Sequence, residues 1–137
     1  KDIAIIGMSC RFPGANNIAE FWSNLCNGVE SISWFSDREI IDSGVDPDFV
    51  ADPNYVRASP ILSQIEDFDA DFWGYSPKEA QLLDPQQRLF MECAWESLED
   101  AGYDPLTYTG EISLYGGAAT NTYLLNNIYP ILPNVDG

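Results

Sequence analysis

The side chains that could do chemistry in this chain are three cysteines, a run of aspartates, a double glycine and a band of glutamates. Cys10, Cys26 and Cys93 are far apart and odd in number, and the chain has no histidine. A cysteine or serine nucleophile of the usual kind needs a neighbouring imidazole to take its proton. Such systems are therefore excluded within this chain, as are zinc sites that use histidine. Three scattered cysteines also make no all-cysteine tetrahedral site, and they read as reduced cytosolic thiols rather than a disulfide framework. Asp67, Asp69 and Asp71 form D-x-D-x-D, the opening of a calcium loop. That loop needs glycine at its sixth position and glutamate at its twelfth; here those positions hold Phe72 and Lys78. A turn-rich segment anchored by Phe68, Phe72 and Trp73 is the better reading. "YGGAAT" after an apolar run suggests a phosphate cradle, but it lacks the P-loop spacing and any nearby lysine. It reads as a tight strand-to-helix turn. No residue is assigned a catalytic, cofactor-binding or metal-binding role.

The elements that carry these residues follow from pattern. "IAIIG" (Ile3 to Gly7) and "EISLYGG" (Glu111 to Gly117) are short apolar runs closed by glycine, predicted as two parallel strands of one sheet. Helices are predicted over 18–28, 76–83, 85–101 and 119–128, with an irregular excursion over 31–60 that has room for one short helix. The helix over "DPQQRLFMECAWESLEDA" is the best marked. Asp84 is placed to cap it, Pro85 suits its first turn, Gln87 completes an arrangement like a capping box, and Gly102 ends it. At about 100° per residue, Phe90, Met91, Ala94, Trp95, Leu98 and Ala101 share one broad face. Phe90, Ala94 and Leu98 are expected to cover the sheet. Glu92, Glu96, Glu99 and Asp100 fall opposite, which reads as a solvated face, and Cys93, beside the apolar face, reads as a small buried hydrophobe.

Composition bounds the rest. At 137 residues the chain has room for one ordinary domain, 1–137, and 45% hydrophobic residues supply a core. A net charge of -16 repels phosphate backbones and anionic lipid, which argues against nucleic-acid and membrane-surface roles. No apolar run is long enough to span a bilayer, and nothing has the layout of a signal peptide. The chain begins at Lys1 directly before a strand-like run, so it is expected to be a piece of a longer polypeptide.

Three long motifs go further. "IAIIGMSCRFPGA" (Ile3 to Ala15) resembles the opening of the ketosynthase, or β-ketoacyl synthase, domain of modular polyketide synthases. "IEDFDADFWGYSPKEAQLLDPQQRLFMECAWESLEDAGYDP" (Ile65 to Pro105) is similar to that family's long signature, and "GEISLYGGAATNTYLLNN" (Gly110 to Asn127) to the segment that follows. Trp73, Tyr75 and Lys78 replace the phenylalanine, isoleucine and arginine common there, keeping aromatic or apolar character or charge. The resemblance implies an α/β, thiolase-like fold, of which this is the N-terminal portion: an incomplete sheet with covering helices. It also implies decarboxylative Claisen condensation of an acyl thioester with a malonyl-type extender held on a carrier protein. Implied partners are acyl carrier protein domains, with a homodimer for the intact domain, in the cytoplasm and without a cofactor. The family's nucleophile lies in a T-A-C-S-S motif and its two histidines in H-G-T-G-T and N-x-G-H segments. None of these is in the chain, and Cys10, Cys26 and Cys93 match no catalytic position. The chain alone is therefore expected to be inactive. A non-catalytic interaction or scaffold domain, or part of a non-elongating ketosynthase, stands as the alternative.

Overall fold

The computed structural model describes residues 2–134. The chain divides into two compact units, one made of the segment up to Cys10 with everything from Gln64 onward, the other of Arg11–Ser63.

The Arg11–Ser63 unit opens with helix α1, Ile18–Cys26, whose N-terminal amides are met by the Asn17 side chain. The stretch over 31–60 is more regular than its composition suggests. It forms strand β1 (Ile32–Trp34), helix α2 (Asp37–Asp42), helix α3 (Pro47–Val50) and strand β2 (Ala58–Pro60). Local capping explains the two helices. Ser36 and Glu39 close a full capping box on α2, and Asp46 caps α3 with Pro47 in its first turn. β1 and β2 pair antiparallel, Trp34 opposite Ala58. Arg57 anchors the hairpin. It is paired with Asp37, donates to the Val50 and Tyr55 carbonyls at 2.7 and 3.0 Å, and lies over the Tyr55 ring.

The other unit is organised by two helices, α4 (Pro77–Leu82) and α5 (Pro85–Asp100). Ser76 and Glu79 form a capping box on α4. Asp84, 4% exposed, caps α5, accepting from the Gln86 amide at 2.8 Å. Its second oxygen takes the Gln86 side chain at 3.3 Å, so Gln86 stands where a Gln87 capping box was expected. Gly102 ends α5 as expected, with a φ of 76° and the Tyr103 amide bonded back to the Leu98 carbonyl.

Two expectations are corrected. The runs Ile3–Ile6 and Ile112–Tyr115 form no strands, and no backbone bond joins them among the described residues. Apolar pattern encodes burial, whereas a strand also needs a hydrogen-bonded neighbour. Both runs lie against α5 instead. The helix predicted over 119–128 starts late, as a π-helical turn over Leu124–Ile128 followed by a 3-10 segment over Tyr129–Asn134. The preceding polar residues satisfy the backbone locally. The Ala119 amide donates to Gln86, Thr122 bonds to the Thr120 carbonyl, and Asn121 accepts from the Leu124 amide.

Gly7 is where the first run meets α5. A Cβ there would lie 2.2 Å from the Ser97 carbonyl oxygen and 2.9 Å from Ala101 Cβ. Gly7→Val is expected to cost about 1–3 kcal/mol, the usual range for overpacking. Urea unfolding reads this as a lowered midpoint, and an unchanged midpoint would mean that the run does not pack there.

Candidate functional site

α5 and the two glycine-closed runs line an apolar cavity of about 500 Å³ that is open to solvent on one side. From the helix come Phe90, Ala94 and Leu98, the three residues expected to cover the runs; from the runs come Ile5, Ile112 and Leu114. Gly116 repeats the close approach seen at Gly7, since a Cβ there would lie 2.8 Å from the Phe90 ring. A smaller cavity of about 280 Å³ continues past Phe90 and Met91 to Gly116, Gly117 and Ala118. The "YGGAAT" segment is thus a packing turn, fastened by the Gln86 side chain at 3.1 Å from the Ala119 amide.

The carboxylates of α5 are only in part the solvated face that their spacing suggests: Glu99 and Asp100 are exposed, whereas Glu92 and Glu96 are half-buried, and Glu96, Glu99 and Asp100 accept hydrogen bonds. Glu96 accepts from the Ser9 hydroxyl at 2.5 Å, and Asp100 accepts from the Met8 amide at 2.9 Å. Glu99 accepts from the Trp95 indole at 2.7 Å. The N-terminal segment lies along the last turns of the helix, so its hydrogen-bonding groups need acceptors there. The readable signal is the stripe Cys93, Ser97, Ala101, three small residues at every fourth position. It opens a shallow track on α5 for another backbone, flanked by Glu96 and Asp100.

The remaining candidates are structural in their surroundings. Asp69 accepts from the Phe72 amide at 3.0 Å, and Asp67 from the Gln64 side chain at 3.3 Å. The aspartate run therefore shapes a turn. It delivers Phe72 and Trp73 edge-on to Trp95, with ring centres 5.0 and 5.9 Å away, and Phe68 under the Arg88 guanidinium at 6.0 Å. Cys93, expected to be buried, lines the large cavity and is only half-buried, because that cavity is open to solvent; Cys10 is half-buried and Cys26 exposed. None has an imidazole to activate it. The site offers apolar docking and carboxylate clamps.

Comparison with known proteins identifies the architecture. The family described as "Beta-ketoacyl synthase, N-terminal domain" matches residues 1–133. The chain belongs to this family. It is 52% identical over 126 residues to a phenolphthiocerol/phthiocerol polyketide synthase of Mycobacterium tuberculosis, covering 92% of this chain and 8% of that protein. It is 39% identical to polyketide synthase PksN of Bacillus subtilis, over 88% of this chain and 2% of that protein. Among solved structures it matches ketosynthase twelve of the bacillaene polyketide synthase of Bacillus amyloliquefaciens, with TM-score 0.64, 44% identity and coverage of 73% of this chain and 18% of that one. A ketosynthase from module 6 of the Bacillus subtilis bacillaene synthase matches with TM-score 0.62 at 38% identity, over 76% of this chain and 17% of that one. The fold is thus the N-terminal portion of a thiolase-like ketosynthase domain. Among the described residues no helix is long and apolar enough to cross a membrane.

The clamp is open to direct test. Asp100→Asn weakens the bond to the Met8 amide, and that amide is expected to exchange with solvent about three- to tenfold faster, the worth of one hydrogen bond. Exchange at the α1 amides should not change. Equal exchange at Met8 in both proteins would mean that Asp100 does not hold the segment.

Proposed function

We propose that the chain is the N-terminal portion of a ketosynthase domain whose intact form condenses polyketide intermediates. The supporting observation is the match of residues 1–133 to the N-terminal domain of β-ketoacyl synthases, together with relatives named as polyketide synthases. In that reaction an acyl group passes from its carrier thioester to a cysteine thiolate, and the carrier thiol leaves. The extender then loses its carboxylate as CO2. The electron pair of the broken carbon–carbon bond forms an enolate, which attacks the acyl carbonyl and displaces the cysteine thiolate. Imidazoles stabilise the enolate and the tetrahedral oxyanion. The intact domain is an acyltransferase. Its partners are acyl carrier protein domains bearing acyl-phosphopantetheine thioesters, and a second copy of itself, and its place is the cytoplasm.

Residues 1–137 contribute scaffold to that chemistry. The chain spans 18% of a solved ketosynthase and 8% of a curated relative. It carries no histidine and no T-A-C-S-S segment. Its two apolar runs are open to water, with Ile3 97%, Ile5 82% and Tyr115 91% exposed. Surfaces of this kind are completed by further packing partners.

Incubation of the chain with an acyl thioester donor, followed by intact-protein mass spectrometry, tests the assignment. No stable stoichiometric acyl adduct is expected, and no CO2 release from malonyl carrier protein. An adduct on Cys10, Cys26 or Cys93 at one per chain would show that this portion holds a nucleophile of its own.

A further inference from the structure

A cavity of about 650 Å³ lies within the Arg11–Ser63 unit, between α2 and the chain running through β2. Phe35, Ile40, Val45, Val56 and Ile61 give it apolar walls. Its volume falls within the roughly 300–1,000 Å³ of ligand-binding clefts.

Two independent observations say what would fit. One is the state of the β2 backbone. β2 pairs only with β1 among the described residues. The register sets Trp34 opposite Ala58 and Ile32 opposite Pro60, and the Phe35 amide donates to the Arg57 carbonyl at 2.9 Å. Opposed residues of an antiparallel pair alternate between bonded and non-bonded positions. That bond therefore places Ala58 and Pro60 at non-bonded positions, where the Ala58 N–H and C=O and the Pro60 C=O point away from β1. Ala58 and Ser59 line the cavity, whereas none of Ile32–Trp34 does, so the cavity borders β2 and not its partner.

The other observation is charge. The unit carries eight acidic residues against three arginines. Arg57, which also lines the cavity, is paired with Asp37 and held by the Val50 and Tyr55 carbonyls, and Arg38 is paired with Asp42 at 3.6 Å. Glu39 lines the cavity with no basic partner among the described residues. Its hydrogen bonds from the Ser36 side chain and amide hold its carboxyl below the ordinary range, so it is anionic at neutral pH.

We propose that an extended peptide segment of a partner polypeptide adds along the unpaired side of β2, placing alternate aliphatic side chains in the cavity and a lysine or arginine beside Glu39. Backbone pairing supplies the affinity in such strand addition and the side-chain pockets supply the selectivity.

Fluorescence anisotropy on the chain tests this with three labelled probes: a short peptide of alternating valine and lysine, its valine–glutamate counterpart, and the valine–lysine peptide N-methylated on alternate amides. The first should bind saturably and the other two about tenfold more weakly, because one loses the charge match and the other the backbone donors. Ala58→Pro removes the outward N–H, and Val45→Lys puts a cation in the cavity without touching the backbone. Each should weaken the first probe about tenfold, while Glu66→Gln, in the other unit, should not. Circular dichroism checks that each variant is folded. Equal binding of the N-methylated peptide and its parent, or undiminished binding to both variants, would overturn the proposal.

Discussion

The larger unit depends on backbone lying directly on a helix surface. Gly7 sits on Ser97 and Ala101, and Gly116 on the Phe90 ring, at distances that leave no room for a Cβ. At Gly7, where the nearest neighbours are backbone atoms, only glycine permits that approach. Once both runs are seated, the rest has a reason. The Met8 amide and Ser9 hydroxyl need acceptors, which Asp100 and Glu96 supply. The turn after Gly116 is held by Gln86, the residue that also braces the Asp84 cap. The outer side of α5 is filled by Phe72 and Trp73 packed edge-on against Trp95. α5 is the girder, and the glycines are the joints that let the chain reach it.

Much of this was legible in the sequence because it is local. Caps at Ser76 and Asp84, the stop at Gly102 and the inward face of Phe90, Ala94 and Leu98 are written in residues a few positions apart. What failed was non-local. Whether Ile3–Ile6 and Ile112–Tyr115 exchange backbone bonds depends on neighbours that apolar pattern does not specify. The same holds for the acidic face of α5. The charges at Glu96 and Asp100 are plain in the sequence, but the partner lies almost the whole chain away. The excursion over 31–60 erred the other way: three prolines read as irregularity, yet one stands at the start of α3 and one at a non-bonded strand position, where proline is tolerated.

The family explains why α5 is surrounded by so much exposed apolar surface. This chain covers under a fifth of the solved ketosynthase it matches. Ile3, Ile5 and Tyr115, among its most exposed large side chains, lie in the two runs that α5 holds in place. What is present is a frame: capped helices, a clamped N-terminal segment and two apolar runs that line one cavity.

The most direct test is amide hydrogen exchange over residues 3–7 and 112–115, measured in this chain and in a ketosynthase domain that includes it. Both runs are expected to exchange fast in the chain, with α5 protected, and to be protected in the longer domain, where they gain backbone partners. Slow exchange of the runs in the chain alone would show that they are already paired, contradicting the claim that α5 holds them by packing and not by a sheet.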